Sequence, residues 1–184
     1  VLNMKKELLV SLLVSFLLFP SHVWALVSPT EEFYVNDYAN ILSTETENYI
    51  VSKSQNLEKQ TGTQIVVVTV ENLEGEDLES YATALFREFG IGDEEEDNGL
   101  LLLLALEERE SRVEVGYGLE GILPDGKTGR FQDQYMIPYF KDDNFDEGML
   151  NGYKAFYQEL ANYYQITDLD EGDAPVEKEE TTLG

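Results

Sequence analysis

Residues 97–125 constrain this chain more than any other stretch. Asp97-Asn98-Gly99 leads into Leu100-Leu101-Leu102-Leu103-Leu104-Ala105-Leu106. An apolar run of that length has no polar face to offer water, so it reads as a strand buried on both faces. A charged turn, Glu107 to Ser111, leads into a second strand with alternating Val113 and Val115. Gly116, Gly118 and Gly121 follow, and let the backbone approach something closely. Carboxylates stand at both ends of this hairpin. Polar loops flanking a buried sheet are where α/β proteins place ligands.

The neighbouring segments supply the rest of such a fold. A short lead, 26–32, precedes Phe33 to Ala39, an extended arm ending in a polar turn. Ser43 or Thr44 can cap a helix, with Glu45 and Glu47 in its first turn, where the dipole favours acid. Ile50 and Leu57 lie two turns apart on its inner face, and Gly62 ends it. Gln64 to Val70 is β-branched and reads as a central strand. Leu78, Tyr81, Ala82, Leu85, Phe86 and Phe89 fall at helical spacing, and Gly90 stops that helix. Lys127 to Ile137 reads as a helix ended by Pro138. Phe145 to Tyr164 reads as another, with Met149, Tyr153, Phe156 and Leu160 inward. The order after the arm is α-β-α-β-β-α-α, which predicts an α/β fold with a mixed sheet between helical layers.

What is missing limits the chemistry. There is no cysteine, and the single histidine is His22. Lys5 and Lys6, the apolar core Leu8 to Phe19, Pro20 and the small residues before Leu26 predict a signal peptide over 1–25, cleaved after Ala25. An uncleaved anchor is the alternative, although the run is short for a spanning helix. Met4 can serve as the start. The remaining chain then has neither imidazole nor thiolate. That excludes a Ser-His-Asp or Cys-His nucleophile and any zinc site built on His or Cys. Asp, Glu, Asn, Tyr and carbonyl oxygens remain, the ligands of calcium and magnesium. The expected location is secreted or extracytoplasmic, and a disulfide-free chain there fits an envelope protein.

The net charge is −25, from 37 acidic and 12 basic residues. It argues against nucleic acid and anionic lipid as partners and is compatible with cations. Residues 166–184 are rich in acid and poor in large apolar side chains, and read as a disordered tail. A membrane tether beyond Gly184 is left open.

Four tempting stretches fail. Asp93 to Asp97 invites an EF-hand, but position six is Asn98 and position twelve is Leu104, where Gly and Glu are required. Asp142 to Gly148 fails similarly, with Glu147 where Gly belongs. Gly116, Gly118 and Gly121 have dinucleotide-fingerprint spacing but no basic residue in the turn, and Pro124 follows soon after. Gly126-Lys127-Thr128 lacks the upstream glycine of a P-loop.

A larger pattern does hold. It comprises Val35-Asn36-Asp37-Tyr38-Ala39-Asn40-Ile41-Leu42-Ser43 and Thr61-Gly62-Thr63-Gln64-Ile65-Val66-Val67-Val68-Thr69-Val70. It continues with Tyr81-Ala82, Phe89-Gly90-Ile91-Gly92, Asp97-Asn98-Gly99 with its leucine run, Glu114-Val115-Gly116-Tyr117-Gly118-Leu119-Glu120-Gly121, and Asp125. Together these residues resemble the TPM domain of secreted or membrane-anchored bacterial proteins and of thylakoid-lumen proteins of photosystem II repair. The resemblance implies an α/β/α sandwich with a central mixed β-sheet over residues 33–165, and an envelope or lumen location. For some members it implies a divalent-cation site and an acid-phosphatase activity. For others it implies an accessory role beside membrane protein complexes.

Asp37, Asp97 and Asp125 each stand at an element–loop junction and at a family motif position. If their loops converge, three carboxylates crowd together at a cost of several kcal/mol unless a cation or a proton compensates. Asn98, Gly118 and Glu120 are candidate further ligands, and Arg112 and Arg130 candidate phosphate contacts. Helix capping by Asp37 and Asp125, with Asp97-Asn98-Gly99 as a plain turn, is the alternative. The expected function is an envelope accessory or interaction module binding calcium, or else magnesium. Its affinity should be about 10⁻⁴ to 10⁻³ M, as in extracellular calcium modules. The alternative is a metal-assisted acid phosphatase acting on phosphomonoesters.

Overall fold

The computed structural model describes residues 26–167, 169 and 171–178. The expected signal peptide therefore lies outside the described residues. Strand β1, Val35–Asp37, is followed by helix α1, Thr44–Thr61, and strand β2, Gln64–Val70. Helix α2, Leu78–Phe89, leads to strands β3, Gly99–Ala105, and β4, Glu110–Val115. A 3₁₀ turn, Tyr117–Leu119, precedes helices α3, Asp125–Tyr135, α4, Ile137–Phe140, and α5, Phe145–Tyr163.

Local chemistry sets most of these limits. The Ser43 side chain accepts from the Thr46 amide and caps α1, while Gly62 closes it at φ 76°. Asp77 caps α2 by accepting from the Ser80 amide, and Gly90 ends it at φ 60°. Pro138 does not end a long helix as its position suggests. The helix breaks at Met136, and Pro138 enters the first turn of α4, where no amide is needed.

The strands form one sheet in the order β1-β2-β3-β4. The first three are parallel, and β4 returns antiparallel to β3. The sheet is mixed, and helices cover both faces. Ile65, Val67, Leu100, Leu102 and Leu104 pack against α1, α3 and α5. Val66, Val68, Leu101 and Leu103 pack against α2, joined by Leu26 and Val27 of the lead and Phe33 of the arm. Leu100 to Leu104 are wholly buried, as their unbroken apolar run requires. The β1–β2 and β2–β3 crossovers step the same way across the sheet with their helices on opposite faces. They are therefore of opposite hand, and one departs from the usual right-handed connection.

The expected disordered tail, 166–184, lies in part outside the described residues, and its described part makes contacts with the domain. Residues 171–178 do not run free. Asp173 is buried against α1, and the Val176 amide donates to Asn151 Oδ1 of α5 at 2.8 Å. The Lys178 ammonium reaches Asp142. Among the described residues, no helix is long and apolar enough to cross a membrane.

Candidate functional site

Asp37 closes β1 and works for its own loop. Its Oδ2 accepts the Leu42 amide at 2.8 Å, and its Oδ1 accepts the Ile41 amide at 3.2 Å and the Thr69 hydroxyl. The carboxylate thus fixes the passage from β1 into α1 without being the cap, which is Ser43. A crowd of acids surrounds this corner. Burial first, then Asp37, Glu32 and Asp146, push the Glu47 carboxyl above its ordinary range.

Asp97 sits at the other end of the sheet. It is exposed, with φ 48°, at the end of an acidic loop that turns on itself. Asp93 Oδ1 accepts the Glu95 and Glu96 amides, and the buried Asn98 uses Oδ1 to accept the Asp93 amide at 2.9 Å. Asn98 is thereby a turn-holding residue. The 3₁₀ turn lies directly against this loop. The Gly118 amide donates to the Asp97 carbonyl at 3.0 Å. A Cβ on Gly118 would stand 1.9 Å from the Glu96 carbonyl oxygen, and one on Gly116 would stand 2.1 Å from that of Asp97. The close neighbour that these glycines admit is the backbone of the acidic loop. Glu120 follows the turn and is exposed.

Asp125 occupies a third position. It is the first residue of α3, where its charge suits the helix dipole, and its carbonyl accepts the Thr128 hydroxyl at 2.9 Å. Pro124, not Asp125, holds the cap position. Asp125 lines a cleft of about 420 Å³ with Arg112, Ser111, Glu79, Thr128 and Gln132. Arg112 Nε donates to Glu114 at 3.0 Å, and its Nη2 lies 3.5 Å from Glu79. Glu114 also accepts the Thr83 hydroxyl. Arg130 is exposed on α3.

The three aspartates do not converge, which corrects the expectation of one shared site. Asp37 pairs with Thr69, and Thr69 with Leu104, at the C-terminal end of the parallel strands. Asp97 precedes the start of β3, and Gly99 to Leu104 alone span roughly 16 Å. The cleft holding Asp125 lies beside β4, three strand spacings or roughly 14 Å from β1. Asp37 stands at one end of the sheet, Asp97 at the other and Asp125 beside β4, and the three carboxylates do not fit one ion. Among the described residues, no group of three or more His, Cys, Asp or Glu side chains is placed to hold a metal ion. The structure does bring together Asp125 with Arg112, and the Asp97 loop with Gly118.

A further cluster joins the tail to the domain. Lys53 Nζ lies 2.7 Å from Asp173 Oδ2, and the Tyr49 hydroxyl donates to Asp173 Oδ1 at 2.7 Å. Burial, then the bond to Asp173, push the Tyr49 hydroxyl well up, so it remains a donor. Tyr153 is wholly buried nearby, its hydroxyl 2.8 Å from Ser54 Oγ. The sequence signal for this cluster was slight: a lysine one turn from Tyr49.

Comparison with known proteins gives a consistent result. The TPM domain profile matches residues 35–159. The N-terminal domain of a protein from P. gingivalis, solved by NMR, is 36% identical with a TM-score of 0.67. That match covers 72% of this chain and 84% of the other. The BA42 protein from Bizionia argentinensis is 25% identical with a TM-score of 0.58, covering 72% and 91%. An N-terminal domain from Corynebacterium glutamicum, 18% identical with a TM-score of 0.54 over 79% and 90%, shares the fold. No curated protein matches. The α/β sheet order, the helices on both faces and the match over residues 35–159 agree: the chain belongs to the TPM domain family.

Proposed function

We propose that this domain is a non-catalytic accessory module of the cell envelope that takes up a divalent cation. Oxygen donors suit a hard cation, and a loop site without fixed octahedral geometry suits the flexible coordination of calcium over magnesium. The cation would sit at the corner where the loop 93–97 meets the turn leading to Glu120, and not at a junction of Asp37, Asp97 and Asp125. The observation that supports this reading is the bond from the Gly118 amide to the Asp97 carbonyl, which fixes the exposed acidic loop against that turn. Asp97 and Glu120 supply the charge, and loop carbonyls can complete the shell. Few fixed carboxylates imply weak binding, about 10⁻⁴ to 10⁻³ M.

The engagement of Arg112 by Glu114 and Glu79 weighs against the phosphatase alternative. The cleft it shares with Asp125 carries more acid than base and repels a phosphate dianion. A membrane or envelope protein complex is the partner this reading expects, with an extracytoplasmic location and a tether outside the described residues.

The test is p-nitrophenyl phosphate hydrolysis with calcium or magnesium at acidic and neutral pH. The expected result is no turnover above buffer. Turnover that disappears in both Arg112→Ala and Asp125→Asn would overturn the non-catalytic reading.

A further inference from the structure

Among the described residues, the outer edge of β4 is unpaired, since β4 ends the sheet. Its hydrogen-bonding parity follows from the ladder. The Gly116 amide donates to the Gly99 carbonyl at 2.8 Å, and the pairs Leu101–Glu114, Leu103–Arg112 and Ala105–Glu110 continue in steps of two. Antiparallel ladders alternate, so the peptide groups of Ser111, Val113 and Val115 point outward. Among the described residues, these groups have no backbone partner beyond the sheet. The cleft of about 420 Å³ between the starts of α2 and α3 opens along Ser111, Arg112 and Val113. The side chains also divide. Val113 and Val115 pack toward α1, α3 and α5, while Arg112 and Glu114 face α2 through Glu79 and Thr83.

We propose that β4 pairs antiparallel with β4 of a second copy of this chain, about a two-fold axis at Val113. Charge complementarity selects both the occupant and the register. Centred on Val113, the outward groups of Val113 meet their own copies, and those of Ser111 meet those of Val115. Arg112 then stands opposite Glu114 of the second copy, twice by symmetry, at positions where side chains approach most closely. Centred on Arg112, the same strands oppose arginine to arginine and Glu110 to Glu114. Centred on Glu114, they oppose glutamate to glutamate. Moving the axis by one residue, which slides the strands by two, therefore replaces attraction by repulsion, and the strand specifies its own register. The charges that guard this edge against unrelated strands thus match a copy of itself.

Sedimentation equilibrium of the purified protein tests this. The expected result is a reversible dimer whose dissociation constant rises by at least about tenfold in Arg112→Glu, which opposes two glutamates twice. The exchange Arg112→Glu with Glu114→Arg restores the pairing and should restore the dimer. Amide hydrogen exchange of the unaltered protein provides a second reading. The amides of Ser111, Val113 and Val115 should be protected at high protein concentration and exchange freely on dilution. A protein that stays monomeric, with these amides exchanging until some other chain is added, overturns the proposal. So does a dimer indifferent to Arg112→Glu, or one that the double exchange fails to restore.

Discussion

Lys53 and Asp173 form an ion pair between α1 and the tail, 2.7 Å apart, with the Asp173 side chain only 2% exposed. The tail is tied to the domain by a buried charge, with the Tyr49 hydroxyl on the second oxygen. Breaking a buried pair costs roughly 3–5 kcal/mol when the remaining charge stays buried. Here the tail can lift and return either partner to water. Lys53→Met should therefore cost less, about 1–2 kcal/mol, and act by local release. Limited proteolysis checks this: cleavage should quicken after residue 167 and leave the domain intact.

Asp37 serves the passage from β1 to α1. Asp37→Ala removes the acceptor for two amides and one hydroxyl, and should cost about 2–3 kcal/mol, because hydrogen bonds to charged groups are among the stronger ones. Asp37→Asn keeps one acceptor oxygen and should cost less. Urea unfolding of both variants measures the difference.

The glycines after β4 differ in their need to be glycine. Gly118→Ala drives a methyl into the Glu96 carbonyl and should cost at least about 2 kcal/mol. Gly121→Ala meets nothing within 4 Å, and its effect should stay within about 0.5 kcal/mol. Thermal unfolding of the two variants side by side makes the comparison.

Glu47 carries a pH dependence of known sign. Its carboxyl is raised in the folded protein by burial, then by Asp37, Glu32 and Asp146. The folded state thus holds that proton more tightly than the unfolded chain. This contribution to stability is complete below the ordinary glutamate value and is lost as pH rises through the raised one. Glu47→Gln should raise the Tm at neutral pH, and the gain should vanish in acid. A lower Tm at neutral pH would mean that the favourable place of Glu47 in the first turn of α1 outweighs the crowding.

The elements were legible where their signals are local. Gly62 and Gly90 mark helix ends through their left-handed backbone, and the runs Gln64 to Val70 and Leu100 to Ala105 can only be buried strands. The site was less legible, because strand direction decides which loops meet. Asp37 ends a strand and Asp97 precedes one, so parallel pairing sends them to opposite ends of the sheet. Asp173 escaped notice because average composition describes an acidic tail well and says nothing of one carboxylate matched to Lys53 and Tyr49.

The most direct test of the cation reading is calcium-dependent thermal unfolding of the unaltered protein, of Asp97→Asn with Glu120→Gln, and of Asp37→Asn. At a hundredfold excess over the dissociation constant, binding to the folded state should add about 2.7 kcal/mol. That gain should saturate, disappear in the Asp97 and Glu120 double variant, and persist in Asp37→Asn. No gain in the unaltered protein, a gain that survives the double variant, or one that vanishes with Asp37→Asn would contradict it.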